Sequence, residues 1–430
     1  MDKGALTPNK VGPAFFNLRE IIDGEWVEAH FQPIVSLKRR CILGLEGLIR
    51  GVYPGSRNLI SPMDLFHQAA VQNMELELDK LCRKKIMDDF RHIHAHSPDL
   101  ILSINLDASL LEQGVAGSGH LRTQVAEMGL KPENIAIEII ESDVEDLKEL
   151  QLFVQLYRSY GFLIALDDVG AGHSNLNRIP LIKPDILKID RFLIQDIQDD
   201  FYKQEVLRSL VSMARRLGTI IIAEGVETQE EAVCLLDMDV DMIQGFYFSR
   251  PQRQDKLEKE PVLQRIDGLG GAFKRKFFRK LGVKKFNMNR FYATVLEIQM
   301  ELTQMNPSRF DSILNRMVED FADVESLCLL DESGVQVSES VFNGNGRSKR
   351  NPVLFRPSPK GADHTMKDYF YFLMEAGLNK TSYVTEPYLS MASGTSCVTL
   401  SSLFKNVNGK RYILCMEINT DALREEPTAE

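Results

Sequence analysis

The sequence predicts an α/β chain: a (β/α)8 barrel of the TIM type over residues 1–252, a charged linker over 253–288, and a smaller α+β domain over 289–425. Eight short apolar runs in the first 250 residues are rich in Ile, Leu, Val and Phe and bounded by turn residues, as strands buried on both faces should be. Helical stretches separate most of these runs, the alternation that builds a parallel barrel. Beyond Arg250-Pro251 the alternation stops, a charged stretch follows, and shorter runs with hairpin signals take over.

The expected strands are AHFQPIVSL (29–37), LGLEGLIR (43–50), LILSINLD (100–107), NIAIEIIE (134–141), FLIALDD (162–168), PDILKID (184–190), TIIIAEG (219–225) and DMIQGFYFS (241–249). The expected helices cover 63–95, 121–128, 144–160, 201–217 and 228–236, where apolar residues recur at helical spacing. In a parallel barrel the carboxyl ends of the strands carry the chemistry. Asn105, Glu138, Asp167, Asp168, Lys188 and Glu224 all fall toward that end of their runs, and Glu46 lies in the second run.

A single carboxylate at a strand end is ordinarily a solvated loop residue or a helix cap. The recurrence carries the inference. Asp167 follows four apolar residues and is joined at once by Asp168, and two adjacent ionised carboxylates repel unless a cation lies between them. Lys188, flanked by Leu187 and Ile189, needs an anionic partner, because an ammonium buried alone is costly. Together these residues read as a ring of oxygen ligands around divalent metal.

The same stretch resembles the EAL-type cyclic di-GMP phosphodiesterases from about Trp26 to Pro251. The family's opening appears as Gln32-Pro33-Ile34-Val35 and its signature as Glu46-Gly47-Leu48; its later motifs are similar to Asn105, Glu138 with Glu141, DDVGAGHSNL (167–176), LKID (187–190), AEGVET (223–228) and QGFYFSRP (244–251). The resemblance implies two magnesium or manganese ions bridged by Asp167, with Glu46, Asn105 and Glu138 completing one site and Asp168 and Glu224 contributing to the other. It implies catalytic roles for Glu46, Glu224, Lys188, which would orient or deprotonate the attacking water, and Gln244, which would position it. Gln32, Leu48, Arg50, Asp190, Glu227 and Pro251 would bind the cyclic dinucleotide, Arg50 by pairing with a phosphate oxygen. Glu141 would hold the loop from Val169 to Asn175, a regulatory hinge through which a homodimer could act on the chemistry.

Four positions depart from the family pattern. Gly47 replaces alanine, a small-for-small change expected to have little effect. Val169, Ala171 and His173 replace Phe, Thr and Tyr in the hinge loop, with loss of aromatic packing and a hydroxyl. His173 is read as a loop or packing residue, since no second His or Cys accompanies it.

A formal net charge of -10 argues against a general DNA or RNA binder, because phosphate-backbone affinity comes from excess Lys and Arg. The six cysteines are scattered without a C-x-x-C pair and read as reduced thiols. No run reaches the length of a membrane helix and the amino terminus lacks an apolar signal core, so a cytoplasmic protein is expected.

The linker contains the basic cluster KRKFFRKLGVKK (274–285). Its aromatic pair, Phe277 and Phe278, is expected to pack on a neighbouring domain; contact with an anionic membrane or nucleic acid is the other reading. Past it, 291–304 and 309–322 carry helical spacing, 326–331, 334–341, 382–390, 397–404 and 411–419 read as strands, and 365–376 as a helix. Asn408-Gly409 is a hairpin signal. The arrangement resembles PAS and Cache sensor domains. A small-molecule ligand there would be lined by Tyr369, Tyr383, Tyr388 and Thr395, although core packing is the ordinary role for such residues. Two functions follow: metal-dependent hydrolysis of cyclic di-GMP to linear pGpG under control of the C-terminal domain, or a catalytically weak receptor that binds the nucleotide and signals through partners.

Overall fold

The computed structural model describes residues 16–56, 58–106, 120–140, 147–171, 176–321, 323–343, 353–374 and 381–423. The chain divides into two compact units, Met1–Lys274 and Arg275–Glu430.

The strands of the first unit are β1 (Val27–Ser36), β2 (Cys41–Val52), β3 (Leu59–Ile60), β4 (Ile101–Leu106), β5 (Ile135–Ile140), β6 (Leu163–Val169), β7 (Ile186–Ile189), β8 (Ile220–Ala223) and β9 (Met242–Gln244). They form one sheet in the order β1-β9-β8-β7-β6-β5-β4-β2-β3, closed into a barrel by pairing of β1 with β2. From β2 through β4 to β9 the neighbours run parallel. The expectation of a fully parallel barrel is corrected at β1, which is antiparallel to both β2 and β9. Only residues 37–40 join β1 to β2, a hairpin length; a parallel crossover needs a dozen residues or more.

The expected helix over 63–95 is two helices, Pro62–Gln72 and Glu75–His94. Asn73 divides them by taking a left-handed conformation (φ 53°), a cap that Asn tolerates well. Helices His120–Glu127, Leu147–Ser159, Phe201–Leu217 and Gln229–Asp237 follow the other expected stretches closely. Their apolar faces and the outward residues of the strands make one continuous core.

Inside the barrel, Ile34, Ala136, Ala165, Ile186, Ile222 and Met242 form a separate apolar cluster. Strand side chains alternate faces with a period of two, so the next inward residue on each parallel strand lies two positions further on. Those residues are Glu138, Asp167, Lys188, Glu224 and Gln244; on the reversed β1 the step runs backward from Ile34 to Gln32. An apolar floor therefore carries a polar layer toward the mouth.

The stretch 253–288 is largely helical: one 45-residue helix, Lys259–Thr303, runs through it and through the helix expected over 291–304. The second unit then holds helix Phe310–Asp320 and strands β10 (Val324–Asp331), β11 (Val341–Phe342), β12 (Ser382–Val384), β13 (Tyr388–Leu389), β14 (Ser396–Lys405) and β15 (Arg411–Asn419). They pair antiparallel in the order β11-β10-β15-β14-β12, with β13 also on β14. Leu327, Leu329, Leu400, Leu414 and Met416 pack with the helical residues Phe291, Ile298, Leu314 and Met317, while Leu330, Ile413 and Cys415 pack with Tyr369, Phe370 and Leu373 of helix Asp368–Met374. The strand expected over 334–341 is mostly irregular, because the Gln336 side chain donates to Ser338 O, Ser340 Oγ and Ser358 O and ties down a loop. Pro387 separates β12 from β13. Asn408-Gly409 closes the β14–β15 hairpin with Gly409 at φ 74°. Among the described residues no helix is long and apolar enough to cross a membrane.

Candidate active site

Lys188 stands at the centre of the polar layer, 1% exposed. Its Nζ lies 2.7 Å from Glu138 Oε1 and Glu224 Oε1, and 3.3 and 3.4 Å from Asp167 Oδ2 and Glu46 Oε1. The four carboxylates come from β2, β5, β6 and the end of β8, so only closure of the barrel brings them together. One ammonium faces four carboxylates. If all ionise, the cluster carries a surplus of negative charge inside a low-dielectric wall, an arrangement that attracts cations.

Each carboxylate is tuned differently. Burial pushes the Glu138 carboxyl well above its usual range; Lys188 pulls it back, while Glu46, Asp167 and Glu224 push it further up. Ser103 Oγ donates to Glu138 Oε1, whereas the buried Oε2 has no hydrogen-bond partner. Glu224 is pushed up to about 8, again chiefly by burial. Burial also acts upward on Glu46, but the Lys188 charge and a hydrogen bond from Gln244 Nε2 hold it below its usual value. Burial alone would lower the Lys188 value, but the surrounding carboxylates, Glu138 first, hold it well above the ordinary range and keep it charged.

The remaining expected residues each have local partners of their own. Gln244 Nε2 also donates to Gln32 Oε1 (3.1 Å), and Gln32 Nε2 donates to Ser249 O (3.0 Å). Asn105 is half-buried and in register with Glu138 on the adjacent strand. Asp168 sits at φ 57°, where the β6–β7 register shifts between Leu166 and Val169, and its N–H donates to Asp167 Oδ1 (2.9 Å). A non-glycine residue there is strained, and the bulge keeps the two aspartates from simple alternation. Leu48 and Arg50 continue the Glu46 face of β2, with Arg50 donating to Ile49 O (2.7 Å). Asp190 caps helix Arg191–Ile194 by accepting from Phe192 N (2.8 Å). Glu227 pairs with Arg191 at 2.9 Å. Pro251 follows Arg250, whose guanidinium lies over the Phe246 ring at 4.3 Å.

Glu141 and His173 lie outside the described residues, as does the 172–175 part of the 169–175 hinge loop. Three positioning residues escaped the sequence reading. Ser103 fixes Glu138. Glu231, 2% exposed, accepts from Asp196 N, Glu227 N and Thr228 N and so ties the segment after β8 to the helix that follows. Its signal was available as the capping box Thr228-x-x-Glu231. Gly245 has no room for a Cβ because the Val226 backbone lies against it; Val226 N–H donates to Gln244 O.

Among the described residues no group of three or more His, Cys, Asp and Glu is placed to hold a metal ion, and the four carboxylates lie around Lys188 Nζ. The donor set nevertheless fits a hard divalent ion: it consists of oxygens, and Glu138 Oε2 is a buried acceptor without a donor. In the second unit the four residues considered for a ligand are engaged internally. Tyr369 OH meets His364 Nδ1 (2.7 Å), Tyr383 stacks on Phe372, Tyr388 OH meets Glu417 Oε1 (2.6 Å), and Thr395 Oγ1 donates to Glu325 Oε1 (3.0 Å).

Comparison with known proteins bears on the fold and the family. YkuI of Bacillus subtilis (strain 168), an EAL-domain containing protein, is 26% identical over 378 residues, covering 86% of this chain and 90% of YkuI. Its crystal structure in complex with substrate c-di-GMP and calcium shares the fold across 94% of this chain and 99% of that one, with a TM-score of 0.78 at 23% identity. The cyclic di-GMP phosphodiesterase NbdA of Pseudomonas aeruginosa is 28% identical over 252 residues, 58% of this chain and 32% of NbdA. The EAL domain matches residues 17–251, more than half of the sequence, and the chain belongs to the EAL domain family.

Proposed function

We propose that the barrel hydrolyses cyclic di-GMP to linear pGpG with two divalent ions, magnesium or manganese, under control of a PAS- or Cache-like C-terminal domain. The observation that carries this reading is the convergence of Glu46, Glu138, Asp167 and Glu224 on Lys188 at the barrel mouth. The substrate recorded for YkuI and the activity named for NbdA support the choice of nucleotide.

Glu46, Asn105, Glu138 and Asp167 would hold one ion, and Asp167, Asp168 and Glu224 the other. Bound there, the ions would supply Lewis-acid stabilisation of the phosphodiester and a more acidic water. Lys188, set among these carboxylates, would orient or deprotonate the attacking water. Gln244 fixes the Glu46 carboxylate and is itself aligned by Gln32. Arg50 pairs with a phosphate oxygen, while Leu48, Asp190, Glu227 and Pro251 line the nucleotide. The water oxygen adds to phosphorus and gives up one proton, one phosphodiester P–O bond breaks, and the leaving sugar oxygen takes up a proton in exchange, so that one water is consumed.

A receptor without turnover is the second reading, favoured by Val169 and Ala171 in place of the family's Phe and Thr beside Asp168. Turnover of cyclic di-GMP with magnesium and then manganese separates the two. Linear product that disappears with chelator and in Glu46→Ala supports the enzyme; tight binding with no product supports the receptor.

A further inference from the structure

The helix Lys259–Thr303 carries a surface that the barrel chemistry does not use. Between Asp267 and Glu297 the chain has eight Lys and Arg residues and no Asp or Glu, in a protein whose formal net charge is -10. Phe278 is 69% exposed and Phe277 39%. Leu281 and Phe286 are also large and exposed, and a Cβ added at Gly282 would meet nothing within 4 Å.

Helical geometry groups these side chains. Phe277 and Leu281 are four apart, Phe278 and Leu281 three apart, and Lys284 and Lys285 follow Leu281 by three and four. One face thus presents two phenyl rings and a leucine, with two ammonium groups directly behind them. Such a face fits a surface that is apolar inside and anionic outside, where aromatic rings enter the headgroup boundary and lysine stems reach back to phosphates. A nucleic-acid duplex would satisfy the lysines but offer the rings and Leu281 little in return.

We propose that this face of the helix docks on an anionic phospholipid membrane surface, holding the chain there peripherally. Lipid phosphates and carboxylates meet Lys284 and Lys285, and Phe277, Phe278 and Leu281 enter the boundary region. The proposal stands apart from the barrel chemistry, since none of these residues belongs to the candidate active site.

The test is co-sedimentation of the full chain with vesicles of phosphatidylcholine alone and of phosphatidylcholine containing phosphatidylserine. Binding is expected only to the anionic vesicles and is expected to weaken as salt is raised. Because each basic residue near such a surface changes binding by about fivefold, Lys284→Glu with Lys285→Glu is expected to weaken it by at least about tenfold. Phe278→Ser with Leu281→Ser is expected to weaken it comparably, and both variants keep the wild-type activity toward cyclic di-GMP in solution. Three results would overturn the proposal: no binding to anionic vesicles at low salt, binding that ignores the Phe278 and Leu281 changes, or tighter binding to a DNA or RNA duplex than to vesicles. A change from dimer to monomer in the Phe278→Ser, Leu281→Ser variant would assign the face to a second copy of the chain and would also overturn it.

Discussion

Gly47 of β2 is packed directly against Ile86 of helix Glu75–His94, so closely that a Cβ on Gly47 would overlap Ile86 Cγ2. The replacement of the signature alanine is therefore matched by the residue behind it. Overpacking of this kind costs about 1–3 kcal/mol, so Gly47→Ala should lower the urea midpoint. Ile86→Ala, which removes the obstructing methyl, should make the Gly47 change less harmful than it is alone. A Gly47→Ala chain as stable as the parent would show that Ile86 moves aside freely.

Removing the charge at Lys188 leaves four carboxylates facing one another. Breaking a buried ion cluster by deleting one partner costs about 3–5 kcal/mol, and Lys188→Met is expected to lose that much in chelator and to recover part of it with manganese. Melting temperatures with and without the ion give the answer. Equal losses under both conditions would mean the carboxylates do not share a cation.

The raised carboxyls give the metal-free chain a definite pH dependence. A carboxyl whose folded value exceeds its unfolded one favours the folded state while protonated, and that contribution is complete below about 4.5 and lost as pH rises through the folded value. For Glu224 the window runs from the usual 4.5 to about 8; Glu138, also raised, acts in the same direction, and Glu46, lowered, acts oppositely below its usual value. Divalent ions need the ionised form, so the rise in melting temperature on adding manganese should grow across this window and protons should be released on binding. A manganese effect identical at both ends of the window would contradict this account.

Glu231 accepts three backbone N–H groups and touches no reacting atom in the proposed chemistry. Leaving buried donors unpaired costs about 1–3 kcal/mol, and Glu231→Ala should lower both stability and kcat by loosening the segment from Glu224 to Thr228. Glu231→Gln keeps one acceptor oxygen but turns an amide NH2 toward the N–H groups that met the other, so it should restore only part of the turnover. An alanine variant with lower stability but unchanged kcat would limit Glu231 to holding the helix.

The sequence by itself determined which residues stand at the carboxyl ends of the barrel strands. Short apolar runs bounded by turn residues fix where a strand stops, so Glu138, Asp167, Lys188 and Glu224 were legible as strand-end residues before any contact was known, and the inner face they share came from the structure. The reversal of β1 was legible only in part, through the short 37–40 connection. Tertiary structure decided the rest. That Lys188 gathers carboxylates from four strands, that Ser103 steadies Glu138, that Gly47 fits Ile86 and that Phe278 faces outward depend on closure and on packing between segments distant in the chain. Local pattern constrains a residue's face, but burial and partners are set by whatever other segment arrives there.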